Sequence, residues 1–197
     1  MFAAIAAVVL AAAPQSPLEL VKSIDAEVQK ELKAPDASTE KLAARADEFL
    51  DFAELAKRAM GEEWKKLNKK QQDELGSTMK GLLRASYAQK AVKDQGGGGA
   101  KVEYGAEKIT GNEAVVNTSL LVKKDTFQVT YKLFRADEKG AWRIYDVVND
   151  EVSLVSTYAD EFKKQLAKKG FDGLLETLKK RQASLEKQNA SDVAQKN

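Results

Sequence analysis

The 197-residue chain contains no cysteine and no histidine. The lack of cysteine excludes disulfides, zinc–thiolate sites and cysteine nucleophiles. The lack of histidine excludes a Ser-His-Asp triad, a zinc-binding HExxH helix and the commonest general base. Catalysis by side chains would therefore depend on aspartate, glutamate, lysine or tyrosine.

An excess of charge of one sign is also missing, because 32 basic residues face 30 acidic ones and the net charge is +2. A nucleic-acid partner is not expected, since such binding needs a basic field. The acidic run of Asp146, Asn149, Asp150 and Glu151 lacks the ligand spacing and the glycine of a calcium loop. We therefore predict neither a metal nor another cofactor.

Long hydrophobic runs are absent except at the N-terminus, where residues 2–13 are all apolar. Twelve helical residues would span about 18 Å, which is short of the roughly 30 Å of a bilayer core. The run ends at Ala11-Ala12-Ala13 and is typical of a secretory signal, although no basic residue precedes it. We expect residues 1–15 to be a cleaved signal and the protein to be exported. The alternative is a terminal helix that packs on the fold.

Helical periodicity dominates the first half of the chain. Capping-box patterns at Ser16 and Asp51 predict helix starts, and apolar stripes predict four helices between residues 16 and 94. Gly76 and Gly81 interrupt the longest of these stripes, where they would either allow close approach by a neighbouring element or simply be tolerated by the helix. The Gly96–Gly99 run predicts a flexible joint.

The period then changes from helix to strand. Residues 102–109, 113–122, 126–135 and 141–148 alternate between apolar and polar side chains, which predicts an antiparallel meander of about four strands. Residues 152–182 return to helical spacing with a break at Gly170, and residues 183–197 form a polar tail. This order predicts one α+β domain over residues 16–182, with sheet at 101–149 and helices on one face of a curved sheet.

The last two predicted helices carry a row of basic side chains. Such a row fits either a solvated helix face or a contact with anionic headgroups or an acidic partner surface. The residues are Lys163, Lys164, Lys168, Lys169, Lys179, Lys180 and Arg181.

Two blocks of motifs resemble a known family. The first, from Asp51 to Tyr87, contains Ala59-Met60-Gly61, Trp64 and Gln72 before a long helix. The second contains Val129-Thr130-Tyr131, Trp142-Arg143-Ile144-Tyr145-Asp146-Val147, Val152-Ser153-Leu154-Val155, Phe162 and Gly170-Phe171-Asp172-Gly173-Leu174. In their order and spacing over residues 42–180, these blocks resemble the MlaC or toluene-tolerance family, the phospholipid-binding component of the maintenance-of-lipid-asymmetry system.

Some positions depart from the family pattern. Glu151 stands where the family usually has glycine before Val-Ser, and Ala159 stands where it often has a basic residue. Leu75 and Gly76 occupy the region of a usual aromatic residue, and the Gly96–Gly99 run is unusual. These departures bear on local loop geometry more than on the fold.

The resemblance implies an NTF2-like sheet wrapped by helices around a deep apolar pocket for acyl chains, with the headgroup near water. It implies a periplasmic carrier with no enzyme activity. Its expected partners are glycerophospholipid, an outer-membrane lipoprotein complex, and an inner-membrane ABC transporter complex with a lipid-binding substrate-binding subunit.

The apolar stripes supply candidate lipid-binding residues. Each buried CH₂ contributes about 0.8 kcal/mol, so acyl chains can drive binding without a catalytic group. The expected wall comprises Phe127, Val129, Tyr131, Leu133 and Trp142, and the expected helical cover comprises Met79, Leu82, Leu83, Val155, Phe162 and Leu174. The same stripes also fit a filled core in a periplasmic interaction module.

Asp146 is the residue on which an enzymatic alternative depends. A carboxylate in an apolar cavity can act as a general base, and Tyr131 or Tyr145 could donate a hydrogen bond beside it. This pattern would suit an isomerase-type small-molecule enzyme on an NTF2-like fold, an analogy of fold alone. The simpler interpretation is that Asp146 pairs with a backbone group or a basic side chain.

Overall fold

A computed structural model describes residues 15–34, 38–93, 101–122 and 124–194. The expected signal segment at residues 1–15 lies outside these ranges except for its last residue, and the Gly96–Gly99 run lies outside them entirely.

The four predicted N-terminal helices are confirmed. They are α1 (Pro17–Lys33), α2 (Thr39–Phe49), α3 (Phe52–Met60) and α4 (Lys69–Lys93), with a 3₁₀ turn at Gly61–Lys66 between the last two. Capping sets the starts of α1 and α3, because Ser16 Oγ accepts the N–H of Glu19 and the Asp51 carboxylate accepts that of Glu54. Gly61 ends α3 with a φ of 55°.

The sheet is an open antiparallel meander in the order β1-β2-β3-β4-β5. The strands are β1 (Lys101–Thr110), β2 (Glu113–Val122), β3 (Asp125–Phe134), β4 (Arg143–Asn149) and β5 (Val152–Ser153). The predicted α+β class and the four predicted strands are confirmed, and the short β5 is an addition.

The last helix, α5 (Leu154–Ala194), differs from its prediction at both ends. It begins two residues later than predicted because Val152 and Ser153 pair with β4. Gly170 interrupts it with a φ of 66°, as the sequence predicted. Beyond this kink the helix continues past residue 182, where a polar tail was expected to begin, to Ala194.

Helices α4 and α5 run parallel after the kink. Lys179 Nζ bonds Glu74 Oε1 at 2.6 Å and Asn189 Nδ2 bonds the Ala85 carbonyl at 2.9 Å. A Cβ at Gly81 would overlap the side-chain amide of Gln182, and one at Gly76 would lie 3.4 Å from Ala53 of α3. Gly81 therefore lies against the Gln182 side chain of α5, and Gly76 lies at ordinary contact distance from Ala53 of α3.

Apolar side chains form two cores. The helical core lies between α3, α4 and α5, and the sheet core lies between α1 and one face of the sheet. The helical core contains Phe52, Leu55, Ala56, Ala59, Met60, Leu75, Met79, Leu82, Leu83, Tyr158, Phe162, Leu174, Leu175 and Leu178. The sheet core contains Leu20, Val21, Ala114, Val116, Leu133, Trp142 and Ile144. Leu50, between α2 and α3, packs against both.

A two-residue loop joins β4 to β5, and both of its residues have positive φ. The φ angles are 44° at Asp150 and 71° at Glu151, and Asn149 pairs with Val152 across the loop. This geometry belongs to a hairpin turn that favours Asn-Gly or Asp-Gly. Asp150 fits it, and its carboxylate accepts the N–H of Gln128 at 3.0 Å. The positive φ explains why glycine would suit position 151.

Replacing Glu151 with glycine should raise the free energy of unfolding by about 1 kcal/mol, because a left-handed conformation strains any residue that carries a Cβ. Urea denaturation followed by circular dichroism measures the change. Glu151→Ala is the matched control, since it removes the charge and keeps the Cβ. Equal stabilisation by alanine and glycine would mean that charge, rather than backbone strain, is the cause.

Candidate functional site

The face of the sheet on which α1 packs, called here the inner face, carries rows of mostly apolar side chains. Cross-strand partners share a face, so the register assigns each row. From the covered end these rows are Ala114–Leu133–Ile144, Val116–Tyr131–Val147, Thr118–Val129–Asn149–Val152 and Leu120–Phe127.

Burial of the inner face decreases along β3 from Leu133 towards Phe127. Leu133 is 0% exposed, Val129 and Tyr131 are half-buried, and Phe127 is 36% exposed. Helix α1 explains the difference, because Leu20 and Val21 pack with the sheet core and leave the far rows outside it. The open half of the inner face, defined as Leu120, Val122, Phe127, Val129 and Val152, is therefore apolar and accessible. Covering such a surface gains about 25 cal/mol per Å².

Three tyrosines from different elements lie near enough to one another to interact electrostatically. They are Tyr87 on α4, Tyr131 on β3 and Tyr158 on α5. Desolvation, and the charges that ionised Tyr158 and Tyr131 would carry, raise the pKa of Tyr87 to about 12. Tyr87 is nevertheless 40% exposed.

The predicted site residues separate into two groups by burial. Seven lie in the two cores: Met79, Leu82, Leu83, Leu133, Trp142, Phe162 and Leu174. The other four are at least partly accessible: Phe127, Val129, Tyr131 and Val155. The role of both groups in lipid binding remains a prediction.

Sequence reasoning did not include Tyr87 and Tyr158 among the site residues. Both stand in apolar helical stripes, Tyr87 four residues after Leu83 and Tyr158 four residues before Phe162. The stripe indicated that they face inward. It did not show that Tyr158 would be buried at 5% exposure while Tyr87 would be 40% exposed.

Asp146 does not face the inner side. It is 1% exposed and pairs in register with Lys132, whose Nζ lies 3.0 Å from Asp146 Oδ2. Its Oδ2 also accepts the hydroxyl of Ser153 at 2.7 Å, and its Oδ1 accepts the N–H of Val155 at 3.1 Å. The interpretation of Asp146 as a partner of a basic side chain and a backbone group is confirmed.

The tyrosines suggested as hydrogen-bond donors beside Asp146 lie elsewhere. Tyr131 is on the inner face, one position from Lys132 on β3. Tyr145 packs edge-on against Phe134, with 6.1 Å between the ring centroids. The Arg58 guanidinium lies 3.6 Å from the centroid of the Tyr145 ring. The structure therefore does not assemble the Asp146–tyrosine pair that the enzymatic alternative requires.

Ion pairs occupy part of the basic row on α5. Lys180 pairs with Glu176 at 2.6 Å and Arg181 pairs with Glu161 at 3.1 Å, which is typical of a solvated helix face. Among the described residues, no group of acidic side chains is arranged to hold a metal ion. Over the same ranges, no helix combines the length and apolarity needed to cross a membrane.

Comparisons with known proteins agree with this architecture. The family model described as MlaC protein matches residues 18–180. Seven chains among solved structures match. One is the phospholipid-binding protein from Ralstonia solanacearum, solved in complex with a phospholipid. It is 24% identical with a TM-score of 0.73, over 84% of this chain and 96% of that chain. No curated protein sequence matches the chain. The structural likeness shows a shared fold.

Proposed function

The chain belongs to the MlaC family, and from this premise we propose that it is a carrier that binds glycerophospholipid by its acyl chains. The chains would lie between the open half of the inner face and helices α4 and α5. Phe127, Val129 and Tyr131 would line the site from the sheet, and Val155 from α5. Binding would be non-covalent and need no cofactor.

The observation that carries this proposal is the loss of burial along β3 from Leu133 to Phe127. A filled core would cover the apolar side chains of one strand face evenly, whereas here the far rows remain accessible. Acyl methylenes could cover them with a gain of about 0.8 kcal/mol each. The solved relative from Ralstonia solanacearum, described as a phospholipid-binding protein in complex with a phospholipid, supports this choice of ligand.

Membership of the family also supports a proposal about the cellular role. We propose that residues 1–15 direct export to the periplasm and that residues 16–182 form the lipid-binding domain, whose last helix continues to Ala194. The loaded protein would pass lipid between an outer-membrane lipoprotein complex and an inner-membrane ABC transporter complex with a lipid-binding subunit. Failure of labelled lipid to pass from the carrier to either purified complex would refute the shuttle.

Val129→Asp should reduce bound phospholipid at least tenfold, because it places a carboxylate among acyl chains, where an unpaired charge is costly. Native mass spectrometry after incubation of delipidated protein with phosphatidylethanolamine vesicles measures occupancy. Thr130→Asp is the matched control. It adds the same charge one residue further along β3, on the opposite face, and should leave occupancy unchanged.

Circular dichroism should show that both variants fold. Wild-type protein that carries no phospholipid when purified and takes none up from vesicles would contradict the carrier proposal. Equal loss in both variants would place the lipid outside the inner face.

A further inference from the structure

We propose that helix α1 is a lid over the lipid site, held closed on strand β1 by the side chains of Tyr104 and Glu107. This inference rests on the proposed function and names the element that moves when lipid enters. With α1 in place, acyl chains have access only to the open half of the inner face. Release of α1 would join the rows beneath it, which lie on the same face of the same strands, to that open half.

Two side-chain hydrogen bonds, called here the latch, connect α1 to β1. The Tyr104 hydroxyl donates to Asp25 Oδ2 at 2.6 Å, and Glu107 Oε2 accepts the N–H of Leu18 at 2.8 Å. The N–H of Leu18 lies in the first turn of α1, where backbone donors have no partner within the helix. The ammonium group of Lys22 adds a cation–π contact, 5.4 Å from the centroid of the Tyr104 ring. The two bonds lie about two helical turns apart, so together they fix the direction of α1 on the sheet.

A β-bulge places both latch residues of β1 on the inner face. Tyr104 is opposite Thr118 and Glu107 is opposite Val116, so β1 has one residue more than β2 between these positions. Residues three apart on a regular strand point to opposite faces, and the extra residue of a bulge cancels that alternation. The strand is therefore irregular at the point where a regular strand would turn one latch residue away from α1.

Apart from the latch, few buried contacts hold α1. Its buried residues are Pro17, Leu20 and Val21, and no side chain from Lys22 to Lys33 is buried. Helix α3, by contrast, buries five of its nine residues. Over its whole described length, α1 contributes no apolar side chain to the helical core. Segments with few buried apolar contacts open at low free energy, so α1 can leave the sheet while the helical core stays folded.

Ion pairs connect the C-terminal half of α1 to α2. Arg45 lies 3.8 Å from the Glu27 carboxylate, and Lys41 lies 3.9 Å from that of Glu31. Both pairs lie beyond the latch along the helix. Loss of the latch would therefore let the N-terminal half of α1 lift from the sheet while its C-terminal half stays beside α2. Acyl chains that enter would then cover the apolar rows that α1 leaves.

Hydrogen exchange and lipid uptake test the lid. Tyr104→Phe and Glu107→Ala each remove one hydrogen bond of the latch. Each should speed amide exchange in α1 of the lipid-free protein roughly two- to tenfold, because exchange follows the opening equilibrium. Exchange in α4 and α5 should not change. Uptake of phosphatidylethanolamine from vesicles by delipidated full-length protein, followed by native mass spectrometry at timed intervals, should become faster by a similar factor.

Two further variants separate the latch from a general effect on the strand. Glu107→Gln keeps an oxygen acceptor for the N–H of Leu18, so it should rescue the slow exchange and slow uptake that Glu107→Ala loses. Glu103→Ala removes an exposed carboxylate from the other face of β1, opposite Ser119, and should change neither rate. Faster exchange in all helices alike would overturn the lid, since the hydrogen bonds would then act on the whole fold.

A covalent link across the latch provides the opposite test. The chain has no cysteine, so Asp25→Cys combined with Tyr104→Cys supplies one pair of thiols that a short bismaleimide can join. The linked protein should take up lipid more slowly than the same protein before linkage, because the lid stays closed. Equal uptake before and after linkage would overturn the lid and leave the carrier proposal standing. Wild-type protein that takes up no lipid would refute the proposed function itself.

Discussion

Replacing Asp146 with alanine is expected to lower the free energy of unfolding by about 3 kcal/mol. The Asp146 carboxylate is 1% exposed and accepts from Ser153 Oγ at 2.7 Å, Lys132 Nζ at 3.0 Å and the Val155 N–H at 3.1 Å. Ser153 Oγ in turn accepts the N–H of Ser156 at 3.0 Å, which caps α5. One carboxylate therefore joins β3, β4, β5 and the start of α5, and alanine leaves its donors without an acceptor.

Urea denaturation of the purified variants measures this loss. Asp160→Ala is a suitable control, because Asp160 is an exposed residue of the same helix and its removal should change stability by less than about 0.5 kcal/mol. Asp146→Asn should give an intermediate loss, since it keeps one oxygen acceptor and loses the charge that pairs with Lys132. An Asp146→Ala protein as stable as the wild type would show that other contacts hold this corner.

Local signals explain most of what could be predicted of the fold. The bounds of β2 follow from the sequence alone, because apolar–polar alternation and a flanking turn define residues 113–122. Strand β5 could not be predicted, since Val152 also continues the apolar stripe of the helix that follows. The pairing of this strand with β4 depends on the positive φ of Asp150 and Glu151, which only the folded turn reveals.

The far end of α5 illustrates a second limit. A polar composition after residue 182 suggested a tail, because few apolar side chains remain to hold a helix in place. In the structure Leu185 packs against the helical core, and the Asn189 side chain donates to the Ala85 carbonyl at 2.9 Å. These contacts depend on the parallel course of α4 and α5, which is a tertiary feature that periodicity does not encode.

At the candidate site, too, local sequence patterns predict some features and tertiary contacts determine the others. Alternation along β3 predicted that Phe127, Val129, Tyr131 and Leu133 share a face, and the register confirms it. Which of them are covered depends on where α1 packs, and this depends on contacts between residues far apart in sequence. For that reason the sequence could list inward-facing residues but could not separate core from open surface.

Two phenylalanines distinguish the core from the proposed binding surface. Phe162 is 1% exposed, so Phe162→Ala should lower the free energy of unfolding of the lipid-free protein by about 3–5 kcal/mol through lost burial and a cavity. Phe127 is 36% exposed at the open half of the inner face, so Phe127→Ala should cost the lipid-free protein less than about 1 kcal/mol.

Bound lipid should raise the melting temperature of Phe162→Ala more than that of Phe127→Ala. A ligand that binds only the folded state stabilises it by an amount that grows with the logarithm of its affinity. Saturating phospholipid should therefore raise the melting temperature of Phe162→Ala as much as that of the wild type. Phe127→Ala removes apolar surface that would cover the acyl chains, so its rise should be smaller. Thermal denaturation with and without phosphatidylethanolamine measures both. If Phe127→Ala destabilises the lipid-free protein as much as Phe162→Ala does, the open half of the sheet belongs to a filled core and the carrier proposal loses its main support.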